Sequence, residues 1–331
     1  MVKLTSAMGG LRRRLLGIDV RETSCERRGF AVANPQMRAR LEHIGATFVA
    51  GYHLALEARD VATLNAALTD VELEARGWAY EGAGLGLVLR DRLALLRRRG
   101  RTHFAEFVGG LGAAHSYLLH VGAGWLLGKL PLRVDRYARR FDPIGRWLVV
   151  DGYGFESGYF HWRRDWQSGD RNYPARLPRT GYYAHAFDQG LGRSLWFVQG
   201  ADPQAIRDSI ELFAAPRRSD LWSGVGLACG YAGGVTRAEL TQLLQLVGSL
   251  APALAQGVVF AAAARARAEN PSPATELACA TICGFDVARA VAIANESERA
   301  SRDVPDNFDC PAYEVWRRRV QAHFATVRGA A

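Results

Sequence analysis

The sequence predicts a mainly α-helical protein built from two similar halves, in a pseudo-two-fold arrangement around an apolar cavity. The tract Trp78-Ala-Tyr-Glu-Gly-Ala-Gly-Leu-Gly recurs as Trp222-Ser-Gly-Val-Gly-Leu-Ala-Cys-Gly, and Phe48-Val-Ala-Gly recurs as Phe187-Asp-Gln-Gly. Matches in the same order, with an insertion near 162–181 in the second copy, indicate an internal duplication. Chance alignment of Gly- and Ala-rich helices is the alternative interpretation.

The duplication divides the chain into a basic segment over 1–28, a first helical repeat over 29–150, and a second repeat with C-terminal helices over 151–331. We expect one compact unit, because two half-similar units tend to pack about a pseudo-two-fold axis. The space between them is then a natural ligand site. The chain has 331 residues, of which 49% are hydrophobic and 23% are charged. These values are typical of a globular protein.

The spacing of apolar residues predicts the elements in order. Asp60 is expected to cap a short helix, and Asp202 with Pro203 to start another. The tract Trp147–Gly154 is expected to be extended, and 162–181 to be a surface loop. We expect breaks at Asp142-Pro143 and a kink at Pro252. The remaining predicted helices cover 35–57, 78–96, 101–130, 133–147, 183–199, 201–213, 221–234, 236–268, 275–298 and 311–327.

Several glycines lie within these apolar helices, and each costs about 1 kcal/mol there relative to alanine. They include Gly82, Gly84, Gly122, Gly124 and Gly226. Two explanations are open. Either two helix backbones approach closely, or a ligand lies against bare backbone.

The net charge of +9 comes almost entirely from arginine, since Lys3 and Lys129 are the only lysines. Exposed aromatics interleaved with a basic face are missing, so no nucleic-acid partner is expected. An anionic membrane surface, an anionic ligand or a plain solvated face remain as uses of the charge. We expect a cytoplasmic protein, with peripheral membrane contact as an alternative. The apolar tract 107–128 is long enough to span a bilayer, but its glycines and histidines weaken insertion.

Strong catalytic signatures are missing from the sequence. It has no phosphate-binding GxxxxGK[ST] loop, no HExxH and no GxSxG, and no histidine pair has the spacing of metal ligands. The five cysteines are scattered, which argues against a disulfide framework or a zinc site. We therefore expect neither a metal nor a cofactor.

Polar residues within apolar, aromatic surroundings are the remaining candidates. Asp151, Glu156 and His161 follow one another in an aromatic tract that also holds Tyr153. A buried Glu156 would have a raised pKa and could exchange a proton, with Asp151 or His161 as its partner. A salt-bridged surface hairpin is the alternative structure for this tract.

A second group of candidates lies in the two repeats. Asp188 and Arg193 either pair with each other or provide an acid and a clamp for a substrate carboxylate. Glu81 lies on an apolar helix and is either paired with an arginine or functional. Aromatic walls for a substrate are expected from Trp78, Tyr153, Trp196 and Trp222.

Four tracts carry a resemblance to a known family. They begin at Trp78, at Trp147 (Trp-Leu-Val-Val-Asp-Gly-Tyr-Gly-Phe), at Phe187 (Phe-Asp-Gln-Gly-Leu-Gly-Arg-Ser-Leu-Trp-Phe) and at Leu221. Together they resemble the bacterial domain of unknown function 1702. Members of that family are often associated with the biosynthesis of enediynes and other polyene-derived natural products. The resemblance implies a role in natural-product biosynthesis and carries over no catalytic residue.

Two functions follow as hypotheses. The first is a cofactor-independent cyclase or isomerase acting on a hydrophobic polyene or isoprenoid-like substrate. Such an enzyme needs an apolar pocket, aromatic faces that stabilise developing positive charge, and one positioned acid or base. The second is a non-catalytic protein that binds or shields a hydrophobic intermediate or acts as a scaffold. A homodimer is an open alternative for the assembly.

Overall fold

The computed structural model describes residues 7–94, 102–167, 173–305 and 307–325. The described residues are 76% helical and contain no strand, which confirms the mainly α class. The α-helices are α1 (Ala7–Leu16), α2 (Cys25–Arg28), α3 (Pro35–Glu57), α4 (Val61–Thr69), α5 (Arg76–Ala94), α6 (His103–Val108), α7 (Ser116–Lys129), α8 (Val134–Ala138), α9 (Gly145–Phe160), α10 (Tyr183–Val198), α11 (Pro203–Glu211), α12 (Ala215–Ala232), α13 (Arg237–Val247), α14 (Ala251–Arg267), α15 (Pro273–Ala278), α16 (Val287–Ser301) and α17 (Ala312–Ala325).

Helix starts follow the sequence signals closely. Asn34 caps α3 by accepting from the backbone of Met37, and Pro35 follows at the first helical position. Asp60 caps α4 and Asp202 caps α11 in the same way, as predicted. Each cap satisfies backbone N–H groups that have no partner within the first turn, and this fixes where the helix begins.

The prediction of an extended segment at Trp147–Gly154 is wrong, because this tract is the first half of α9. Almost every residue of α9 is buried, so its sequence shows no polar face and resembles a buried strand. The alternative of a surface hairpin for 151–162 is wrong for the same reason. The boundary drawn at residue 150 falls inside α9, and the division into two repeats stays a prediction.

Other predicted helices are interrupted. The helix expected over 101–130 is broken between α6 and α7 by a turn and a 3₁₀ segment at Ala113–His115. The tract 236–268 is divided at Gly248–Leu250, a few residues before Pro252. The expected loop over 162–181 includes a π-helical turn at Arg163–Gln167, and 168–172 lie outside the described residues.

Seven long helices pack one against the next in chain order: α3, α5, α7, α9, α10, α12 and α14. At each of the six interfaces, both helices contribute one glycine, and each glycine lies against a backbone carbonyl of the other helix. That carbonyl always belongs to the residue three positions before the partner's glycine. The six pairs, called the glycine ladder below, are Gly51–Gly82, Gly84–Gly122, Gly124–Gly152, Gly154–Gly190, Gly192–Gly224 and Gly226–Gly257.

The glycine ladder confirms close backbone packing as the reason for the intrahelical glycines. A Cβ at any of the twelve positions would overlap the facing carbonyl oxygen. The five inner helices of the array therefore each carry a Gly-X-Gly motif, with one glycine for each neighbour. Because every interface uses the same offset, corresponding residues of successive helices lie at one level.

The shared level produces an inner row, which consists of the residue before the first ladder glycine of each helix from α5 to α14. Polar side chains occupy five of its six positions. The inner row is Glu81, Val121, Asp151, Gln189, Ser223 and Gln256.

One stretch, which runs from α13 through α14, has a membrane-like composition, and its α14 part belongs to this packed array. Arg237–Arg267, which includes α14, is long and apolar enough to cross a bilayer, but 72% of its apolar window is buried inside the protein. A core helix of a globular protein passes the same test. The tract 107–128 does not appear as one helix, because it is broken before α7.

Gly226→Ala should lower the free energy of unfolding by about 3 kcal/mol or more, because its methyl group has no room against the carbonyl of Leu254. Gly10→Ala is the matched control, since nothing lies within 4 Å of its added Cβ in α1. It should be neutral or stabilising by up to about 1 kcal/mol. Urea denaturation measures both, and equal tolerance of the two alanines would contradict the glycine ladder.

Candidate functional site

The inner row forms a buried polar network across neighbouring helices. Gln189 on α10 donates from Nε2 to Asp151 Oδ2 on α9 at 3.0 Å. Ser223 on α12 donates from Oγ to Gln256 Oε1 on α14 at 2.8 Å, and lies 3.4 Å from Gln189 Oε1. Tyr313 of α17 closes the network by its hydroxyl, which lies 2.8 Å from Gln189 Nε2. Buried polar groups need such partners, so the row is held in one arrangement.

Arg193 brings a positive charge to this network. Its Nη2 lies 2.7 Å from Asp151 Oδ1, with both side chains buried. Its guanidinium also lies over the ring of Phe155, with Cζ 4.8 Å from the ring centroid. Burial raises the pKa of Asp151, and the charge of Arg193 opposes that shift. Arg193 therefore pairs with Asp151, and its predicted pairing with Asp188 is wrong.

Glu81 is the inner-row carboxyl with an incomplete set of partners; at the other end of the row, Gln256 Nε2 is also buried without a hydrogen-bond partner. It is 2% exposed, and its Oε1 accepts from Trp125 Nε1 at 3.3 Å. Its Oε2 is buried without a hydrogen-bond partner, and no cation of the described residues lies within 4 Å of the carboxyl. Burial raises the pKa of Glu81 to about 7, and Asp151 adds to the rise while Arg193 and Trp125 oppose it. Neutral and charged forms therefore coexist near neutral pH.

Two small apolar pockets adjoin these polar groups. The Glu81 pocket has a volume of about 40 Å³, and the Arg193 pocket, which also holds Asp151, has about 50 Å³. Trp78, Phe155 and Phe197 line both pockets. A cavity of this size is large enough to hold water.

Five of the wall residues occupy one position of the helix repeat, three residues after the first ladder glycine of their helix. Trp125, Phe155, Arg193, Leu227 and Phe260 all occupy this position and all line a pocket. Sequence reasoning missed Trp125, Phe155 and Phe197 as wall residues. The Gly-X-Gly motif was the available signal, because it fixes which face of each helix points inward.

The tryptophans chosen from the sequence divide between the pockets and the surrounding core. Trp78 lies on the walls of both pockets, against Phe197 and Tyr231. Trp196 donates its indole N–H to the carbonyl of Gly233 at 3.0 Å, and Trp222 is buried; neither lines the two pockets. Tyr153 packs edge-on against Phe187, also outside them.

Three of the predicted acid–base residues lie elsewhere. Glu156 pairs with Lys129, Nζ to Oε1 at 2.9 Å, so its expected partnership with Asp151 or His161 is wrong. His161 lies on the exposed end of α9.

Asp188 is a buried member of a different cluster. Arg217 Nε donates to its Oδ2 at 2.8 Å and the hydroxyl of Tyr173 donates to the same oxygen at 2.7 Å. Burial still raises the pKa of Asp188 to about 6. Asp188 lies outside the linings of both pockets.

The described residues contain no group of three or more His, Cys, Asp or Glu side chains that could hold a metal ion. The five cysteines are free thiols, and Cys25, Cys229 and Cys279 are buried. Burial raises the pKa of Cys25 to about 11, which keeps this thiol protonated.

Comparison with known proteins bears on the family. The profile described as "Protein of unknown function (DUF1702)" matches residues 7–324. The chain belongs to the DUF1702 family. The match confirms the resemblance carried by the four tracts, and it covers the whole glycine ladder of this DUF1702 protein. No curated protein and no solved structure matches the chain.

Glu81→Gln should make the protein more stable than the wild type at alkaline pH. The folded-state pKa of Glu81 is raised, so its stability contribution is complete below the unfolded pKa of about 4.3 and is lost as the pH rises to about 7. Between these pH limits, the free energy of unfolding of the wild type should fall by about 3 kcal/mol relative to that of Glu81→Gln. Urea denaturation at about pH 4.5 and about pH 8 measures this difference, and a constant difference would contradict a neutral buried Glu81.

Proposed function

We propose that this DUF1702 protein is a cofactor-independent enzyme that isomerises or cyclises a hydrophobic polyene or isoprenoid-like substrate. One observation carries the proposal: a buried carboxyl with a free oxygen and a pKa of about 7, on the wall of an aromatic pocket. Glu156 and Asp188, by contrast, each form an ion pair. A general acid or base works best when its pKa lies near the working pH.

The proton chemistry balances within Glu81 itself. The neutral carboxyl gives its proton from Oε2 to one carbon of a conjugated chain, and a delocalised cation forms. Trp78, Trp125 and Phe155 line the pocket, and their rings would stabilise that charge. The Glu81 carboxylate then takes a proton from another carbon, which shifts the double bonds. If a remote double bond attacks the cation first, a carbon–carbon bond forms and the product is cyclic.

The two pockets support the proposal of one apolar cavity. They share three aromatic walls, so moving Phe155 or Phe197 would join them into a longer space. Glu81 and the Asp151–Arg193 pair would then both lie on the wall of the joined space. A substrate carboxylate would have to compete with Asp151 for Arg193, so we assign Arg193 to holding the inner row rather than to clamping an anion.

The proposed duplication also has support from the glycine ladder. The triplets α3–α5–α7 and α10–α12–α14 use the same kind of paired contact, with Gly51–Gly82 answering Gly192–Gly224. In this correspondence Gly82 matches Gly224, two residues from the alignment that the tryptophans suggest. An older repeat of single helices would explain the same contacts, because all six interfaces are alike.

The biological role rests on the family. We propose that the protein acts in bacterial natural-product biosynthesis of the enediyne or polyene kind, as the family association implies. Its partner would be a hydrophobic small molecule, handled in the cytoplasm.

A carrier that binds or shields such a molecule is the alternative function. It would need the same apolar walls, and the small volume of the pockets at rest fits a protein that opens only around its ligand. A carrier function does not explain why the Glu81 carboxyl, on the wall of the pocket, has an oxygen without a hydrogen-bond partner. This difference separates the two hypotheses.

Glu81→Gln should reduce turnover of a converted polyene by roughly 10²–10⁴-fold, because the amide cannot exchange a proton. Binding, followed by polyene fluorescence, should change little. Glu156→Gln is the matched control, a buried acid outside both pockets, and should retain activity. Since the neutral acid is the reactive form, wild-type kcat/KM should fall as the pH rises above about 7. Unchanged turnover in a folded Glu81→Gln variant, measured by chromatography of the products, would leave the carrier hypothesis.

A further inference from the structure

Helix α1 presents an apolar stripe to solvent. Met8 is 54% exposed, Leu11 is 52% exposed and Leu15 is 72% exposed. Their spacing of three and four residues places them on one face of the helix. With Val20, they are four of the eight large apolar side chains that are exposed among the described residues. Leu111 and Leu212 belong to the other four, and each stands alone on its own helix or turn.

The opposite face of α1 is held firmly against α3. Gly9 lies against the backbone of Glu57, and Arg12 donates from Nε to the carbonyl of Leu56 at 2.7 Å. Arg13 forms an ion pair with Glu57 at 2.7 Å. The contacts with α3 therefore fix the orientation of α1, and its apolar stripe faces outward as a result.

Arginines border the stripe on both sides. On a helical projection Arg12 follows Leu15 and Met8 on one side, while Arg14 lies beside Leu11 on the other. Arg14 has no acidic partner within the described part of the chain. Residues 7–28 hold six arginines against three acidic residues. An apolar face with flanking guanidinium groups is typical of a helix that lies in the plane of an anionic lipid surface.

The chain that follows α1 forms part of the Glu81 pocket. Ile18, Glu22 and Thr23 line it and are only half-buried, whereas Trp125 and Phe155 lie at its buried side. The outer wall of the pocket is thus continuous with the segment that carries the apolar stripe.

We propose that α1 docks this protein on an anionic membrane surface, through Met8, Leu11 and Leu15 with Arg14. The proposal adds, on the basis of the proposed function, that the hydrophobic substrate passes from the bilayer through the Ile18–Thr23 wall towards Glu81. A second copy of the chain fits the stripe less well, because an isologous contact would bring the Arg14 side chains of the two copies together. Lipid phosphates complement the same charges.

Co-sedimentation with vesicles tests the docking step. Wild type should bind phosphatidylcholine vesicles that contain phosphatidylglycerol at least tenfold more tightly than phosphatidylcholine vesicles alone. Leu11→Glu and Leu15→Glu should each weaken binding at least tenfold. Leu111→Glu and Leu212→Glu are the matched controls, since both positions are 55% exposed and lie elsewhere. They should bind as the wild type does, and circular dichroism should show all four variants folded.

The contribution of the arginine charges to vesicle binding is tested separately. Arg14→Glu and raised salt should both weaken binding to the anionic vesicles, because exposed charges are screened. Equal loss in the control variants, or no preference for anionic vesicles, would overturn the proposal. So would light scattering that shows a concentration-dependent dimer, abolished by Leu15→Glu, in a protein that ignores vesicles.

Turnover of a short polyene in free solution separates this inference from the proposed function. Leu15→Glu should leave that turnover unchanged, because it lies outside both pockets, while slowing turnover of a polyene supplied in vesicles. Failure of vesicle binding with intact solution turnover would reject the docking step alone. Loss of the Glu81 dependence with intact vesicle binding would reject the proposed chemistry alone.

Discussion

Backbone contact through glycine is the constraint on which this structure depends. Each of six interfaces places a helix so close to its neighbour that no side chain fits between a ladder position and the facing carbonyl. The cost of glycine within a helix is offset by close packing along the whole interface. Because the offset repeats, the helices share one register, and their inward-facing residues form rows rather than a scatter.

The register explains why a poorly solvated acid exists in the core. Along α9, α10, α12 and α14, hydrogen bonds link the inner row from Asp151 to Gln256, although Gln256 Nε2 is buried without a partner. Val121 of α7 interrupts it, so Glu81 of α5 is left with one indole donor. Such a carboxyl is easily charged or neutralised near pH 7. An aromatic pocket beside it turns a packing irregularity into a candidate site.

The sequence predicts the local features well and the long-range ones poorly. The starts of α3, α4 and α11 depend on residues next to one another, and their caps were recognised. The tract that opens α9 was misassigned, because a helix buried on all sides has no polar face to reveal its period. The Gly-X-Gly motif of the glycine ladder occurs in all five inner helices. The sequence comparison matched the tracts of α5 and α12, which begin at Trp78 and Trp222, and therefore indicated a duplication.

Pairing in the candidate site shows the same limit. Glu81, Asp151 and Arg193 were all chosen from the sequence, because charged residues in apolar helices need a reason. Their partners were not predictable, since Arg193 belongs to the same helix as Asp188 but pairs with Asp151 on α9. Which polar groups meet depends on the register of neighbouring helices, and that register is set by contacts between segments far apart in the chain.

The protonation state of Glu81 is the central claim, and infrared difference spectroscopy measures it most directly. Spectra of wild type minus Glu81→Gln, recorded across a pH series, isolate the carboxyl band of this residue. The account predicts a protonated carboxyl below neutral pH that titrates with a midpoint near 7. A midpoint near about 4.3, the value of a solvated glutamate, would contradict the account.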